Sequence, residues 1–179
     1  MSKVPQFSRA ARWLHWSMAL LLLSLLFAGL TMVRALEPWQ LTLLQLHKSF
    51  GLVALVLVLI RLWVRMRTQA PALPADLAAW QRVSARLSHI GLYACMLAMP
   101  VSGYLMQNAA GRPLEVFGVL TLPALLEVDL AVYGMLREVH GWVALAFIVL
   151  ILVHVAAALQ HGLIRRDGVL QTMTGRRRP

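Results

Sequence analysis

The chain is poor in cysteine and in charged residues. Its single cysteine, Cys95, lies in an apolar stretch, so a disulfide within the monomer is excluded. Only 13% of the residues are charged, against about a quarter in a typical soluble domain. Hydrophobic residues make up 60% of the 179 residues, and the mean hydropathy is +0.70. The composition therefore indicates an integral membrane protein.

Long stretches with little or no charge predict four membrane spans, at residues 13–33, 41–64, 87–107 and 139–164. As a helix, each stretch is long enough to cross about 30 Å of hydrocarbon. The second stretch contains Lys48 and Arg61, which lie near its ends, where long basic side chains extend toward the interface. We therefore predict an all-α, integral membrane four-helix bundle that forms one domain over residues 1–179.

The basic residues are distributed unevenly over the two sides of this bundle. Thirteen of the 17 fall on one side, in the N-terminus, the second connection and the C-terminal tail. They are Lys3, Arg9, Arg12, Arg61, Arg65, Arg67, Arg82, Arg86, Arg165, Arg166 and Arg176–Arg178. Cytoplasmic loops are enriched in Lys and Arg, so both termini are expected in the cytoplasm. The membrane and its anionic lipids also explain the net charge of +10 better than nucleic acid does.

Six histidines lie within these apolar stretches or at their ends. They are His15, His47, His89, His140, His154 and His161. Ionisable side chains at membrane depth are costly and usually face the interior of a bundle. His140 and His154 are 14 residues apart, close to four helical turns, so both should project from nearly one face, about 21 Å apart.

Depth divides the histidines into two layers. The outer layer contains only His47 and His140, whereas two ligands have to be chosen from four histidines in the inner layer. Two imidazoles on facing helices can hold one haem iron, and two layers would hold two haems. The chain has no Cys-x-x-Cys-His motif for covalent attachment. Zinc fits less well, because no acid lies in the spans near the histidines, and interfacial structural histidines are the remaining interpretation.

Five short segments carry a family resemblance. They are RWLHW at Arg12–Trp16, LHKSFG at Leu46–Gly51, AMPVSGYLM at Ala98–Met106, REVHGW at Arg137–Trp142 and HVAAALQHG at His154–Gly162. These segments and their order resemble the bacterial cytochrome b561 family, in particular its small single-subunit members. The resemblance implies two b haems, the outer one on His47 and His140 and the inner one on His15 and His154.

The same resemblance implies an electron relay across the bacterial inner membrane. It leaves His89 and His161 as a possible quinone site near the inner haem. The function expected is oxidation of superoxide to oxygen outside the cytoplasm, coupled to reduction of ubiquinone. One alternative is a cytochrome b subunit that transfers electrons for a periplasmic dehydrogenase or hydrogenase partner. The other is a structural or sensory membrane protein without haem.

Steering of superoxide to the outer haem would require positive charge on the outer face. Lys48, Arg112 and Arg137 are the candidates for this role. Five of the seven acids lie on the same face and oppose them, namely Glu37, Glu115, Glu127, Asp129 and Glu138. This charge balance weakens the case for superoxide as the donor and does not affect the haem assignment.

Overall fold

A computed structural model of the protein describes residues 6–32, 37–69 and 71–175. Its long helices are α1 (Arg9–Met32), α2 (Trp39–Arg67), α3 (Ala79–Ala109) and α4 (Leu130–Leu159). All four are long and apolar enough to cross a membrane. The predicted all-α four-helix bundle is therefore confirmed. Lys3, Arg34 and Arg176–Arg178, which contribute to the predicted orientation, lie outside the described residues.

The helices are longer than the predicted spans. α3 begins eight residues before residue 87, and α4 begins nine residues before residue 139. The predicted spans cover only the uncharged residues that lie in the hydrocarbon. The helices are longer because their backbone hydrogen bonds continue into the polar turns on either side. Asp129 caps the N-terminus of α4: its carboxylate accepts hydrogen bonds from the backbone nitrogens of Ala131 and Val132 at 2.8 and 3.0 Å. The end of the first predicted span, Val33, lies outside the described residues.

A small apolar core holds the middle of the bundle together. It contains Met18 of α1, Val58 of α2, Cys95 and Met96 of α3, and Phe147 of α4, all of them buried. Large apolar side chains elsewhere on the helices are mostly exposed on the bundle surface, as expected where the surrounding solvent is lipid. The core therefore forms a dry layer across the bundle at mid-depth.

A β-hairpin lies in the connection between α3 and α4, at what we call the outer end of the bundle. Strand β1 (Leu114–Val116) pairs antiparallel with β2 (Leu120–Leu122). Phe117 and Gly118 form the turn with φ of 51° and 70°, the left-handed region that tight hairpin turns require. Ser49 of α2 accepts a hydrogen bond from the backbone nitrogen of Phe117 at 3.0 Å, which docks the hairpin on the helix. No strand was predicted for this connection.

Both described ends of the chain meet at the opposite end of the bundle, which we call the inner end. α4 continues into a π-helix (Gln160–Arg165), and a short helix, α5 (Val169–Thr174), follows. The backbone nitrogen of Phe7 donates to the carbonyl of Thr172 at 3.2 Å, and Nε1 of Trp16 donates to the carbonyl of Met173 at 3.3 Å. The first and last described residues therefore lie on one side of the bundle, while assignment of that side to the cytoplasm stays a prediction.

Candidate haem-binding histidine layers

α4 presents a histidine at each of two depths. His140 and His154 are separated by 14 residues of continuous α-helix, which corresponds to about 21 Å along the axis and nearly four full turns. Phe147 lies midway between them and is only 2% exposed. The two histidines therefore flank the apolar core on one helix.

At the outer depth, His140 lies near His47 of α2. The hydroxyl oxygen of Ser102 lies 2.7 Å from the carbonyl oxygen of Ala98, to which it can donate its proton, and 2.9 Å from Nδ1 of His140. When the hydroxyl donates to Ala98, its oxygen can accept from the Nδ1–H of His140, and Nε2 then keeps the lone pair that a metal requires. The position of Ser102 is therefore compatible with the tautomer that can bind iron.

The pair formed by His47 and His140 has open space beside its rings and one buried nitrogen without a hydrogen-bond partner. Nδ1 of His47 is buried and has no hydrogen-bond partner among the described residues, an unfavourable situation for an imidazole. Glycines face both rings: a Cβ at Gly29 would lie 3.6 Å from Cε1 of His47, and one at Gly103 would lie 3.3 Å from Cε1 of His140. The absence of side chains at these two positions keeps the flanks of the rings open for a flat macrocycle.

At the inner depth, three histidines from three helices converge. The ring centres of His15 (α1) and His154 (α4) are 6.2 Å apart, and those of His89 (α3) and His154 are 5.5 Å apart. A metal–imidazole nitrogen bond is about 2.0 Å long, so two rings that ligate one metal from opposite sides have centres roughly 6 Å apart. His154 is common to both pairs. The pairing of His154 with His15 stays a prediction from the family resemblance.

Arg61 of α2 points into this inner cluster rather than toward the membrane interface. One terminal nitrogen of its guanidinium lies 3.1 Å from Nδ1 of His15, and Nε donates to the hydroxyl of Tyr93 at 3.1 Å. The guanidinium also lies over the ring of Tyr93, 5.9 Å from its centre. The interpretation of Arg61 as an interfacial anchor is therefore wrong, since its polar partners lie inside the bundle. The feature of the sequence that indicated such an inward role was the position of a charged residue within an apolar stretch.

His161 belongs to a different group, at the inner end. Its Nδ1 lies 2.6 Å from the Asp167 carboxylate, which also accepts from Nε of Arg165 at 3.1 Å. Arg165 in turn pairs with Asp76 of the α2–α3 connection at 2.6 Å. Burial alone would raise the pKa of Asp167, but hydrogen bonds from His161, the backbone of Val169 and Arg165 outweigh it and hold the pKa below its ordinary value. Among the described residues no hydrogen bond or ring contact joins His161 to His89.

The donor set suits haem iron at both depths. It consists of imidazoles on facing helices within an apolar bundle, which is the usual environment of a b-type haem. His140 lies beside an oxygen that can accept from its Nδ1, His47 has a buried nitrogen without a partner, and the flanking glycines leave room. The sequence identified the histidines from their spacing. The contacts that Ser102, Gly29 and Gly103 make with them depend on how the helices pack together and could not be predicted from spacing.

Comparison with known proteins identifies the family of the chain. The profile of the prokaryotic cytochrome b561 family matches residues 6–176. The chain is 32% identical to cytochrome b561 homolog 2 of Escherichia coli strain K12 over 164 residues, covering 90% of this chain and 87% of the relative. It is 28% identical to cytochrome b561 homolog 1 of the same organism over 182 residues, covering 97% and 99% of the two chains. It is 24% identical to a probable superoxide oxidase CybB of Yersinia pestis over 169 residues, covering 92% and 93%. The chain therefore belongs to the prokaryotic cytochrome b561 family of haem-binding, electron-transferring membrane proteins.

Proposed function

We propose that the protein is a di-haem b cytochrome that carries electrons from superoxide outside the cytoplasm to ubiquinone on the inner side. The observation that carries the proposal is the pair of histidine groups that α4 presents about 21 Å apart. Two redox centres at these depths would divide the bilayer into short electron-transfer steps. Haem iron supplies reversible one-electron chemistry when bound.

The residues of the chain have separate tasks in this relay. His47 and His140 would hold the outer haem, with Ser102 keeping His140 in the tautomer that leaves Nε2 free. His15 and His154 would hold the inner haem. Phe147 and its core neighbours exclude water from the layer between the two sites.

Superoxide as the donor is supported by one relative and by part of the outer surface. The Yersinia pestis relative is named as a probable superoxide oxidase. Lys48 and Arg112 lie close to each other at the outer end and would attract an anion, although Glu115 beside them reduces the effect. The reaction balances when two superoxide anions and two protons convert one ubiquinone into ubiquinol and release two oxygen molecules.

His89 and His161 are proposed to serve the quinone. Imidazole exchanges protons near neutral pH, so either residue is suited to deliver the protons that quinone reduction consumes. His89 contacts the inner ligand His154, with ring centres 5.5 Å apart. His161 lies at the inner end, where Asp167 orients its ring and leaves Nε2 free.

The first test is a count of haems, followed by an assay of turnover. A reduced-minus-oxidised spectrum with pyridine haemochrome quantification should give two b haems per purified chain. Proteoliposomes that contain this chain alone and ubiquinone should then form ubiquinol when superoxide is generated outside. Absence of haem would overturn the whole proposal, whereas two haems without superoxide-driven turnover would overturn only the choice of donor.

A second candidate function is that of an electron-transfer subunit docked to a periplasmic dehydrogenase. The observation that favours it is the exposed apolar tip of the outer hairpin, where Val119 is 90% and Leu120 55% exposed. This function predicts reduction of the haems only in the presence of the partner enzyme. Turnover of the isolated chain with superoxide distinguishes the two functions.

A further inference from the structure

Arg61 carries a charge at membrane depth for which no carboxylate partner exists among the described residues. The ion pairs formed by those residues all involve Arg165 or His161. Asp76 and Asp167, the acids of the inner end, are both engaged there. A half-buried guanidinium without a counter-charge is costly in an apolar bundle. The surroundings of Arg61 are therefore suited to an anion.

The contact between Arg61 and His15 conflicts with a ligand role for His15. A guanidinium can only donate, so Nδ1 of His15 must accept the 3.1 Å hydrogen bond, and the imidazole proton then resides on Nε2. Ligation of iron through Nε2 requires the opposite tautomer, with the proton on Nδ1. In that tautomer the N–H at Nδ1 of His15 would face an N–H of the Arg61 guanidinium, and two donors cannot form a hydrogen bond. His140 shows the compatible arrangement, because Ser102 offers it an acceptor.

We propose that Arg61 binds a propionate of the inner haem, and that its guanidinium leaves Nδ1 of His15 when His15 ligates the iron. This inference rests on the proposed pair of inner ligands, His15 and His154. Nε of Arg61 is anchored on Tyr93 at 3.1 Å, so the terminal nitrogens can change partner while the rest of the side chain stays in place. A planar guanidinium pairs with a carboxylate through two parallel hydrogen bonds, which a propionate can accept.

The structure provides room for this exchange. A cavity of about 30 Å³ lies beside Arg61 on the side of the inner end, bounded among others by Arg65, Thr68 and Tyr93. A water-sized group requires only about 10–15 Å³. Two of its eight lining residues, Arg61 and Arg65, are cations and none is an acid, so the charge at the cavity favours a negatively charged group. A propionate directed toward the inner end would enter this environment.

The test compares two probes that differ only in the propionates, haem b and its dimethyl ester. The full-length protein with His47→Ala, which should retain only the inner site, is purified without haem and titrated with each probe by Soret absorbance. With Arg61 present, haem b should bind about tenfold or more tighter than the ester, as expected for a charge-assisted hydrogen bond. Arg61→Gln should abolish this preference, and Arg61→Lys should retain part of it. An equal loss of affinity for both probes, or an unchanged preference, would overturn the inference.

Arg67→Gln is the matched control. Arg67 also lies on α2, but its guanidinium lies over the ring of Trp63, 5.9 Å from the ring centre, and it does not line the cavity. This variant should keep the full preference for haem b over the ester. Loss of the preference in Arg67→Gln as well as in Arg61→Gln would assign it to the general positive charge of the inner end and overturn a specific role of Arg61.

Two further measurements separate this inference from the proposed function. In the same background, His15→Ala should abolish binding of both probes. Retained binding would show that His15 is not a ligand, whatever Arg61 does. In the intact holoprotein, which needs no outer-site variant, Arg61→Gln should lower the midpoint potential of one haem only, because oxidised iron is stabilised when a nearby positive charge is removed. Unchanged potentials of both haems would overturn the placement of Arg61 beside the inner haem.

Discussion

The oxygen of the Ser102 hydroxyl lies 2.9 Å from Nδ1 of His140 and 2.7 Å from the carbonyl oxygen of Ala98. A residue on α3 is thereby placed to fix the tautomer of a histidine on α4, by donating its proton to Ala98 and accepting from Nδ1. Such second contacts hold an imidazole in the orientation and tautomer that a metal requires. Ser102 would therefore act on the outer haem through His140, without contact to the iron.

Ser102→Ala should weaken the outer haem. Loss of a contact of this kind typically lowers metal affinity by about 10–100-fold, so the purified variant should retain the inner haem and lose part or all of the outer one. Haem per chain by pyridine haemochrome measures the effect. Thr31→Ala is the control, because its hydroxyl bonds only to the carbonyl of Phe27 on α1. Full occupancy in Ser102→Ala would contradict the tautomer argument.

His47→Ala and His140→Ala should each remove one haem and leave the other. Both side chains belong to the outer layer, and replacement of either leaves a haem there with one ligand. Reduced spectra and haem content of the two variants should therefore match each other and show one haem per chain. A folded variant with no haem, or one with two, would refute the pairing of His47 with His140.

Gly103→Ala should perturb the outer haem, whereas Gly141→Ala should not. A Cβ at Gly103 would lie 3.3 Å from Cε1 of His140, closer than an ordinary contact, while a Cβ at Gly141 would meet no described atom within 4 Å. Both changes raise helix propensity by a similar amount, about 1 kcal/mol, so their difference reports on the ring of His140. The outer haem in Gly103→Ala should show a shifted midpoint potential or reduced occupancy. Identical behaviour of the two variants would contradict a role for Gly103 beside the ring.

The sequence was sufficient for the features that depend on one helix at a time. Absence of charge located the four spans, because hydrocarbon excludes charge regardless of the neighbouring helix. The interval between His140 and His154 gave two depths, because helical rise is fixed. The assignment of His15 as the partner of His154 needed the family resemblance, since spacing left four inner histidines to choose from.

Features that depend on contacts between elements could not be predicted in this way. Ser102, Gly29 and Gly103 act on histidines of neighbouring helices, and a single sequence does not give the rotation of one helix against another. The outer hairpin has strands of only three residues and depends on its docking to Ser49. The direction of Arg61 depends on Tyr93 and His15, which lie on two other helices.

Asp167→Asn should loosen the short helix α5 at the inner end. The Asp167 carboxylate accepts from His161 and from the backbone nitrogen of Val169, the first residue of α5. Loss of its charge weakens hydrogen bonds to a charged, half-buried carboxylate, which are worth about 1.5–3 kcal/mol each. Hydrogen exchange of the amides in Val169–Thr174 should therefore become faster at pH 7. Asp76→Asn is the control, because the Asp76 side chain is 72% exposed and should leave the exchange unchanged.

The same contact predicts a pH dependence in the unmodified protein. Because the pKa of Asp167 lies below its ordinary value of 3.8, the stabilisation is fully present above about pH 4 and is lost as the pH falls through the lowered pKa. Exchange in Val169–Thr174, corrected for intrinsic rates, should approach that of Asp167→Asn only in this acidic range. Equal exchange of the two proteins already at neutral pH would show that the carboxylate does not anchor α5.

His161→Ala should keep both haems and slow the reduction of ubiquinone. His161 is bound by Asp167 and has no described contact with the histidine layers, so neither haem site should depend on it. If its Nε2 delivers protons to the quinone, its removal should reduce turnover by about 100-fold or more, which is typical of a lost general acid. Reoxidation of prereduced haems by ubiquinone measures this step without superoxide. Asp76→Ala removes the ion pair with Arg165 at the inner end but leaves the contact between His161 and Asp167 in place. Equal losses in His161→Ala and Asp76→Ala would therefore assign the effect to the structure of the inner end and refute a proton-delivering role of His161.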